Sequence, residues 1–199
     1  MFISRNSVNL HSTIHRTNHV ALPFDEDILI ERLRDHKTRR AAFSDVVKAY
    51  SEPLYWHIRR MVLNHDDAND LLQNTFIKAW TGIDGFLGNS KVLTWLYRIA
   101  TNETITFLNR NNAVVMEEPE TCAAQLEADT YFDGDSLQTR LQEAIQTLPP
   151  KQRMVFNMKY YDDMKYEEIS SILGTSIGAL KASYHLAVKK ISSFFDDDI

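Results

Sequence analysis

Three groups of residues in this chain have side chains able to do chemistry. His65-Asp66-Asp67 is the one compact His/Asp group, a pairing that can serve a general base or hold a metal ion. His11, His15 and His19 lie four apart, a spacing that would line up three imidazoles on a helix. Cys122 is the single cysteine. None of the three groups is completed. His65 has no partner nucleophile or metal set, and the three histidines have no carboxylate or cysteine near them in a polar, disorder-prone stretch. One cysteine excludes an internal disulfide, and neither a CxxC pair nor a Cys/His cluster of zinc spacing is present. The expectation is no enzyme, no catalytic residue, no metal and no cofactor, so the residues to explain are those that bind.

Three stretches have that character. In NHDDANDLLQNTFIKAW, Asp67 is a candidate N-cap with Asp70 three residues on, placing acid at the positive end of a helix. Leu71, Leu72, Thr75, Phe76, Ala79 and Trp80 form its inner face. Asp70, Gln73, Asn74 and Ile77 form the other, an i, i+3, i+4, i+7 set. That set is either a solvated face or, given an isoleucine beside Asp and Gln, a face that meets a partner. Next, Gly82, Gly85 and Gly88 break the helix and permit an open loop before a mostly apolar helix over Thr94 to Leu108, on which Arg98 and Asn102 share a polar stripe. A loop of Gly, Asn and Ser beside aromatics can be a plain turn or can accept an unstacked base. Last comes YEEISSILGTSIGALKASYH: an apolar helix, Gly174 as left-handed closing residue, Ser176 as cap, and a second helix. This is the pattern of a helix-turn-helix. In the second helix Ile177, Leu180, Tyr184, Ala187, Val188, Ile191 and Phe194 make a buried stripe. Gly178, Ala179, Lys181, Ala182 and His185 face out with Ser183 at the margin, small enough to let a helix N-terminus approach phosphate and base edges.

The elements that must position these residues read as helices throughout. Gly and Pro are few, alternating strand patterns are hard to find, and 44% hydrophobic content over 199 residues suffices for a core, so the fold class is all-α. Ala42, Phe43, Val46, Val47 and Tyr50 mark one core helix and Leu54, Tyr55, Ile58, Met61 and Val62 a second after Pro53. LPPKQR opens another with Pro149 or Pro150 in its first turn, and YDDM makes a turn. NNAVVMEEPETCAAQLEADTYFDGD has no helical period and is acidic, hence a linker. The expected organisation is an unstructured arm at 1–22, a helical domain at 23–110, the linker at 111–135, a second small helical domain at 136–195 and an acidic tail at 196–199. No apolar run is long enough for a signal peptide or membrane span, so a cytoplasmic protein without membrane insertion is expected. Net charge is -5, yet residues 149–195 hold seven bases against four acids while 111–148 hold eight acids against one base. The acidity lies in the linker and tail, away from the helix-turn-helix.

DANDLLQNTFIKAW, then IDGFLGNSKVLTWLYRIATNE, then LPPKQRMVFNMKYYDDMKYEEISSILGTSIGALKASYHLAVKKI together resemble, in order and spacing, the two domains of extracytoplasmic-function (ECF) sigma factors of the bacterial sigma-70 family. The resemblance covers roughly residues 25–110 and 136–195. It implies a promoter-specificity subunit of bacterial core RNA polymerase that binds promoter DNA, takes no small-molecule substrate, and is often held by an anti-sigma factor. It places Asp67, Asp70, Gln73, Asn74 and Ile77 against the polymerase's largest subunit. It gives the loop at 85–91 the capture of a flipped base of the melted -10 element, with Phe86, Asn89, Ser90 and Lys91 as contacts and Arg98 and Asn102 beside the melting duplex. It lays the recognition helix over 176–190 in the -35 major groove, with Ser176, Gly178, Ala179, Lys181, Ala182, Ser183 and His185 facing DNA, and threads the acidic linker into the polymerase cleft. Two departures matter. Leu87 and Asn89 stand where Arg and Asp are common, and the recognition helix lacks the usual arginines, so phosphate contact and DNA shape should outweigh guanine readout.

Two non-enzymatic rivals share the pattern. A dimeric operator-binding regulator would need to supply its own DNA affinity, which a weakly basic domain does poorly. A sigma-like decoy would lack the glycine loop, which is present here.

Overall fold

The structure is a computed structural model and describes residues 25–86, 88–112 and 136–196. The arm with its three histidines, nearly all of the acidic linker with Cys122, and the last three residues lie outside the described residues.

Eight α-helices and no strand account for the regular structure among the described residues, as the composition implies. Helix α1 (Glu26–Arg34) starts at Asp25, whose carboxylate accepts from the amides of Asp27 and Ile28, and it buries Leu29 and Leu33. It is short, with two buried apolar positions, and the sequence reading missed it. Helix α2 (Arg39–Val62) is one helix where two were expected, with Pro53 inside it and buried. A proline in mid-helix forfeits one backbone hydrogen bond and costs about 3 kcal/mol. Tyr50, Leu54 and Ile58 on either side are wholly buried, at about 1.5–3 kcal/mol each, which outweighs that loss.

Helix α3 (His65–Thr81) begins one turn earlier than Asp67 implied. Asn64 is the N-cap, its side-chain oxygen accepting from the amides of Asp66 and Asp67 at 2.8 and 3.1 Å. Asp67 is thus a first-turn residue, because Asn64, in extended geometry just before the helix, reaches those two amides first. After Gly82 a single 3-10 turn (Ile83–Gly85) leads through the loop into α4 (Val92–Asn112). Helices α1, α3 and α4 pack on α2.

The second group comprises α5 (Ser136–Gln146), which the sequence reading placed inside a domain without identifying as a helix, α6 (Pro150–Tyr160), α7 (Tyr166–Leu173) and α8 (Ile177–Asp196). Pro150 occupies the first turn of α6, and the YDDM turn holds Asp163 at a φ of 50°. Leu141, Ile145, Leu148, Phe156, Tyr161, Ala187 and Ile191 form a core confined to this group. A larger core runs from Leu29, Tyr50 and Leu96 through Met154, Met158, Ile169 and Leu180, so the two groups share a continuous apolar contact. Helix α7 lies on α4 and α6 lies on α2.

Candidate nucleic-acid interface

Helix α3 turns Leu71, Thr75 and Ala79 inward and leaves Asp70, Gln73 and Asn74 exposed, together with Ile77 at 53%. The outer set falls as its spacing predicts. Asp67 is partly covered beside it, and its carboxyl is raised by burial first and then by the charges of Asp70 and Asp66. Trp80 departs from the expected inner face: it is 41% exposed, with its ring edge on Phe43 at 5.0 Å. At the other end His65 is fully engaged locally, one ring nitrogen 2.8 Å from the Tyr55 hydroxyl and the other 2.9 Å from the Asn69 amide. Among the described residues no three His, Cys, Asp or Glu side chains converge as metal ligands.

The loop between α3 and α4 divides its side chains between core and solvent. Asn89 and Lys91 are exposed and Ser90 is half-buried. Phe86 corrects an expectation: it is only 7% exposed and stacks on Trp95, with centroids 4.7 Å apart and rings at 26°. An aromatic buried against Trp95 in this way offers little free face to a base, and Phe86 forms the floor of the loop. Gly88 sits at a φ of 72°, the left-handed region where glycine is unstrained.

Arg98 and Asn102 do share one stripe of α4. Asn102 is exposed, but Arg98 is partly covered by the second helix group, its Nη2 donating to the carbonyl and hydroxyl oxygens of Ser171 on α7 at 2.9 and 3.0 Å.

The helix-turn-helix is built as its sequence implies. Gly174 closes α7 at φ 62° and ψ 27°, and the Ser176 hydroxyl accepts from the Ala179 amide at 3.4 Å. Ser176, Gly178, Ala179, Lys181, Ala182 and His185 are exposed and Ser183 is half-buried, so every expected outward residue is on or beside one face. Lys181 reaches back over the Tyr166 ring, 5.7 Å from its centroid. Leu180, Ala187 and Ile191 are buried, whereas Val188, assigned to that stripe, is 40% exposed. It lies eight residues beyond Leu180, which at 100° per residue places it about 80° round from the line of Leu180, Ala187 and Ile191, at the margin of the stripe.

The residues that join the two groups were not found from the sequence. Asp162, in the YDDM turn, has a fully buried side chain. Its two carboxylate oxygens take His57 Nδ1 at 2.7 Å and Arg60 Nη1 at 2.9 Å, both on α2. His57 Nε2 lies 3.1 Å from the Thr101 hydroxyl of α4, and the Arg60 guanidinium stands 4.5 Å over the Tyr161 ring. Burial drives the Tyr97 phenol, edge-on to His57, far above its ordinary range, with the Asp162 charge adding to the rise.

The family profile described as Sigma-70 region 2 matches residues 46–114, and that described as Sigma-70, region 4 matches residues 138–191. The ECF RNA polymerase sigma factor SigW of Bacillus subtilis is 36% identical over 156 residues, spanning 72% of this chain and 83% of that protein. The ECF RNA polymerase sigma-E factor of Escherichia coli strain K12 is 28% identical over 183 residues, spanning 84% and 93% respectively. Among solved structures, CnrH in complex with the cytosolic domain of CnrY shares the fold at a TM-score of 0.66, with 24% identity, covering 87% of this chain and 99% of that one. The sigma factor RpoE of Bartonella quintana, in complex with the anti-sigma factor NepR, does so at 0.62, with 22% identity, covering 79% and 98%.

Proposed function

The chain belongs to the ECF RNA polymerase sigma factors, proteins that direct RNA polymerase to promoters, and from that premise we propose how its own surfaces divide the work. One observation carries the division: each of the two outer faces is presented by the opposite side of a helix whose inner side is core. Ile77 is the telling residue on α3. Leaving an isoleucine half in water forgoes part of the roughly 1.5–3 kcal/mol its burial would contribute, a loss that docking on a partner recovers. Asp70, Gln73, Asn74 and Ile77, with Asp67 beside them, are therefore assigned to core polymerase. The organisation into 23–110 and 136–195, with the linker at 111–135 between them, follows that division of labour.

Asn89, Ser90 and Lys91 are assigned to the melted -10 element, with Phe86 supporting the loop from beneath. Asn102 is open to the adjoining duplex, and Arg98 joins it when α7 lifts from α4. At α8, Lys181 holds phosphate and Ser176, Gly178, Ala179, Ala182, Ser183 and His185 line the approach to the -35 groove. No bidentate guanine contact is available from these side chains, so phosphate position and DNA shape supply most of the preference there. The protein acts without catalytic chemistry of its own, in the cytoplasm where the polymerase works. Of the two solved structures above, one holds the cytosolic domain of CnrY and the other the anti-sigma factor NepR, which supports an anti-sigma partner here.

Run-off transcription with purified core polymerase tests the reading: addition of this chain should give promoter-specific transcripts. Absence of both a transcript and co-purification with core would overturn it. Asp70→Ala with Gln73→Ala should weaken core binding at least tenfold with the fold intact, and unchanged affinity would refute the assignment of the α3 face.

A further inference from the structure

We propose that α1 is a positioning element for the promoter-reading loop, with Glu26 as its principal positioning residue, a role that rests on reading residues 85–91 as the -10 loop. Helix α1 touches the loop at its start, its apex and its end. At the end, Glu26 Oε1 accepts a 2.5 Å hydrogen bond from the amide of Val92, the first residue of α4. A carboxylate there meets both an unsatisfied donor and the positive end of a 21-residue helix. At the apex, Gly88 faces α1 so closely that an added Cβ would stand 3.0 Å from Arg34 Nη2 and 3.3 Å from Ile30 Cγ2.

The start is held through Arg39. Its Nε donates to the Leu33 carbonyl at 2.8 Å and its Nη2 to the Arg34 carbonyl at 3.2 Å, closing the C-terminal end of α1. The same guanidinium pairs with Asp84, on the 3-10 turn, at 2.7 Å. From Glu26 to Arg34 is about 12 Å of helix at 1.5 Å per residue, and the three points are spread along it. The loop is thus held by α1 at its apex and end, and at its start by Arg39, the first residue of α2, which itself closes α1, with the reading residues Asn89, Ser90 and Lys91 between the apex and the end.

Glu26 is the strongest of these ties. Its carboxylate is partly buried and makes a charge-assisted bond to the first amide of α4. A fixed loop meets an unstacked base without first being ordered, so its discrimination between bases is delivered in full. A slack loop samples several poses, each accepting different bases.

The test is transcription by holoenzyme reconstituted from the full chain, on a promoter pool randomised across the -10 positions, with transcripts sequenced. Glu26→Leu removes the acceptor and should lower the preference ratio between best and worst base by about tenfold, the size of one charge-assisted hydrogen bond. Glu26→Gln keeps an acceptor and should retain most of the ratio, which a purely structural role would not require. Asp84→Asn, at an exposed side chain that cannot endanger folding, should lower the ratio from the other end of the loop. A wild-type ratio in both Glu26→Leu and Asp84→Asn overturns the proposal. Combined Asn89→Ala, Ser90→Ala and Lys91→Ala separates the two layers. If that variant loses the preference while the α1 variants keep it, only the positioning role falls, and if it keeps the preference the reading of the loop itself falls.

Discussion

Replacing Asp162 by Ala should separate the two helix groups without unfolding either. The carboxylate is fully buried and holds two cation-capable side chains, His57 and Arg60, that are nearly as buried as itself. Removing one partner of a buried pair costs about 3–5 kcal/mol, because the remaining charge keeps its desolvation penalty and loses its compensation. Arg60 would retain its place over Tyr161, worth about 1–2 kcal/mol at a desolvated site, which is less than the loss. The partners lie 102 and 105 residues apart in sequence, so nearly all of this energy is lost from packing between the groups. The core of Leu141, Ile145, Phe156 and Ile191 draws on α5, α6 and α8 alone and remains. Small-angle scattering should therefore show a larger radius of gyration, and circular dichroism unchanged helix content. A triple replacement, Asp162→Leu with Arg60→Met and His57→Leu, should recover much of the compactness, because apolar side chains of similar volume fill the site without a charge or an unpaired ring nitrogen to desolvate. An unchanged radius together with a stability loss under about 1 kcal/mol would refute the reasoning, since it would mean that the buried pair contributes no more than a surface one.

Two further outcomes are expected. Lys181→Ala should weaken -35 DNA binding by the holoenzyme similarly across sequences and reduce the slope of log affinity against log salt by about 1, the signature of one lost phosphate contact; a change in base preference without a change in slope would contradict it. Gly174→Ala meets no neighbour at its Cβ, so its whole effect is the left-handed backbone at φ 62°, about 1–2 kcal/mol, read as a Tm lower by a few degrees; an unchanged Tm would mean that the turn relaxes.

Features written in local periodicity were legible in the sequence. The α3 outer face and the outward set of α8 fall where a 3.6-residue repeat puts them, and Gly174 and Ser176 declare their roles by residue type alone. Pro53 misled because a local rule that ends helices at proline takes no account of a buried face, and Tyr50, Leu54 and Ile58 hold α2 together through it. Trp80 and Phe86 exchanged their expected places for one reason: an aromatic ring packs against whatever lies beside it, and the chain bend at Gly82 directs Phe86 to Trp95 while leaving Trp80 only Phe43 as a partial cover. Helix α1 is nine residues long with two buried positions, too few to show a period. The Asp162 cluster had no readable signal, since a histidine, an arginine and an aspartate a hundred residues apart are ordinary surface residues until the fold brings them together and removes the water.

Those buried charges bear on the DNA surfaces through simple lengths. By their positions the -10 and -35 elements lie about 25 base pairs apart, or about 85 Å at 3.4 Å per pair. A compact chain of 199 residues has a radius of gyration of about 16 Å, hence a diameter of about 40 Å. On the proposed assignments, the arrangement with α7 on α4 and Asp162 on α2 cannot hold both elements at once. The 23 residues from 113 to 135 can reach about 75 Å when extended, at about 3.3 Å each, so the chain is long enough to let the groups part. The free energy of the Asp162 interface is then subtracted from that of promoter binding. A recognition helix whose outward N-terminal face offers one lysine, Lys181, among small residues cannot offset several kcal/mol by itself, so on the proposed assignments the α3 face supplies the remainder. On the proposed assignments the same subtraction accounts for a DNA-reading helix on a chain of net charge -5: its hold on the promoter would depend on what it is docked to, and Arg98, bonded to Ser171 in the compact arrangement, would reach DNA only when that bond opens.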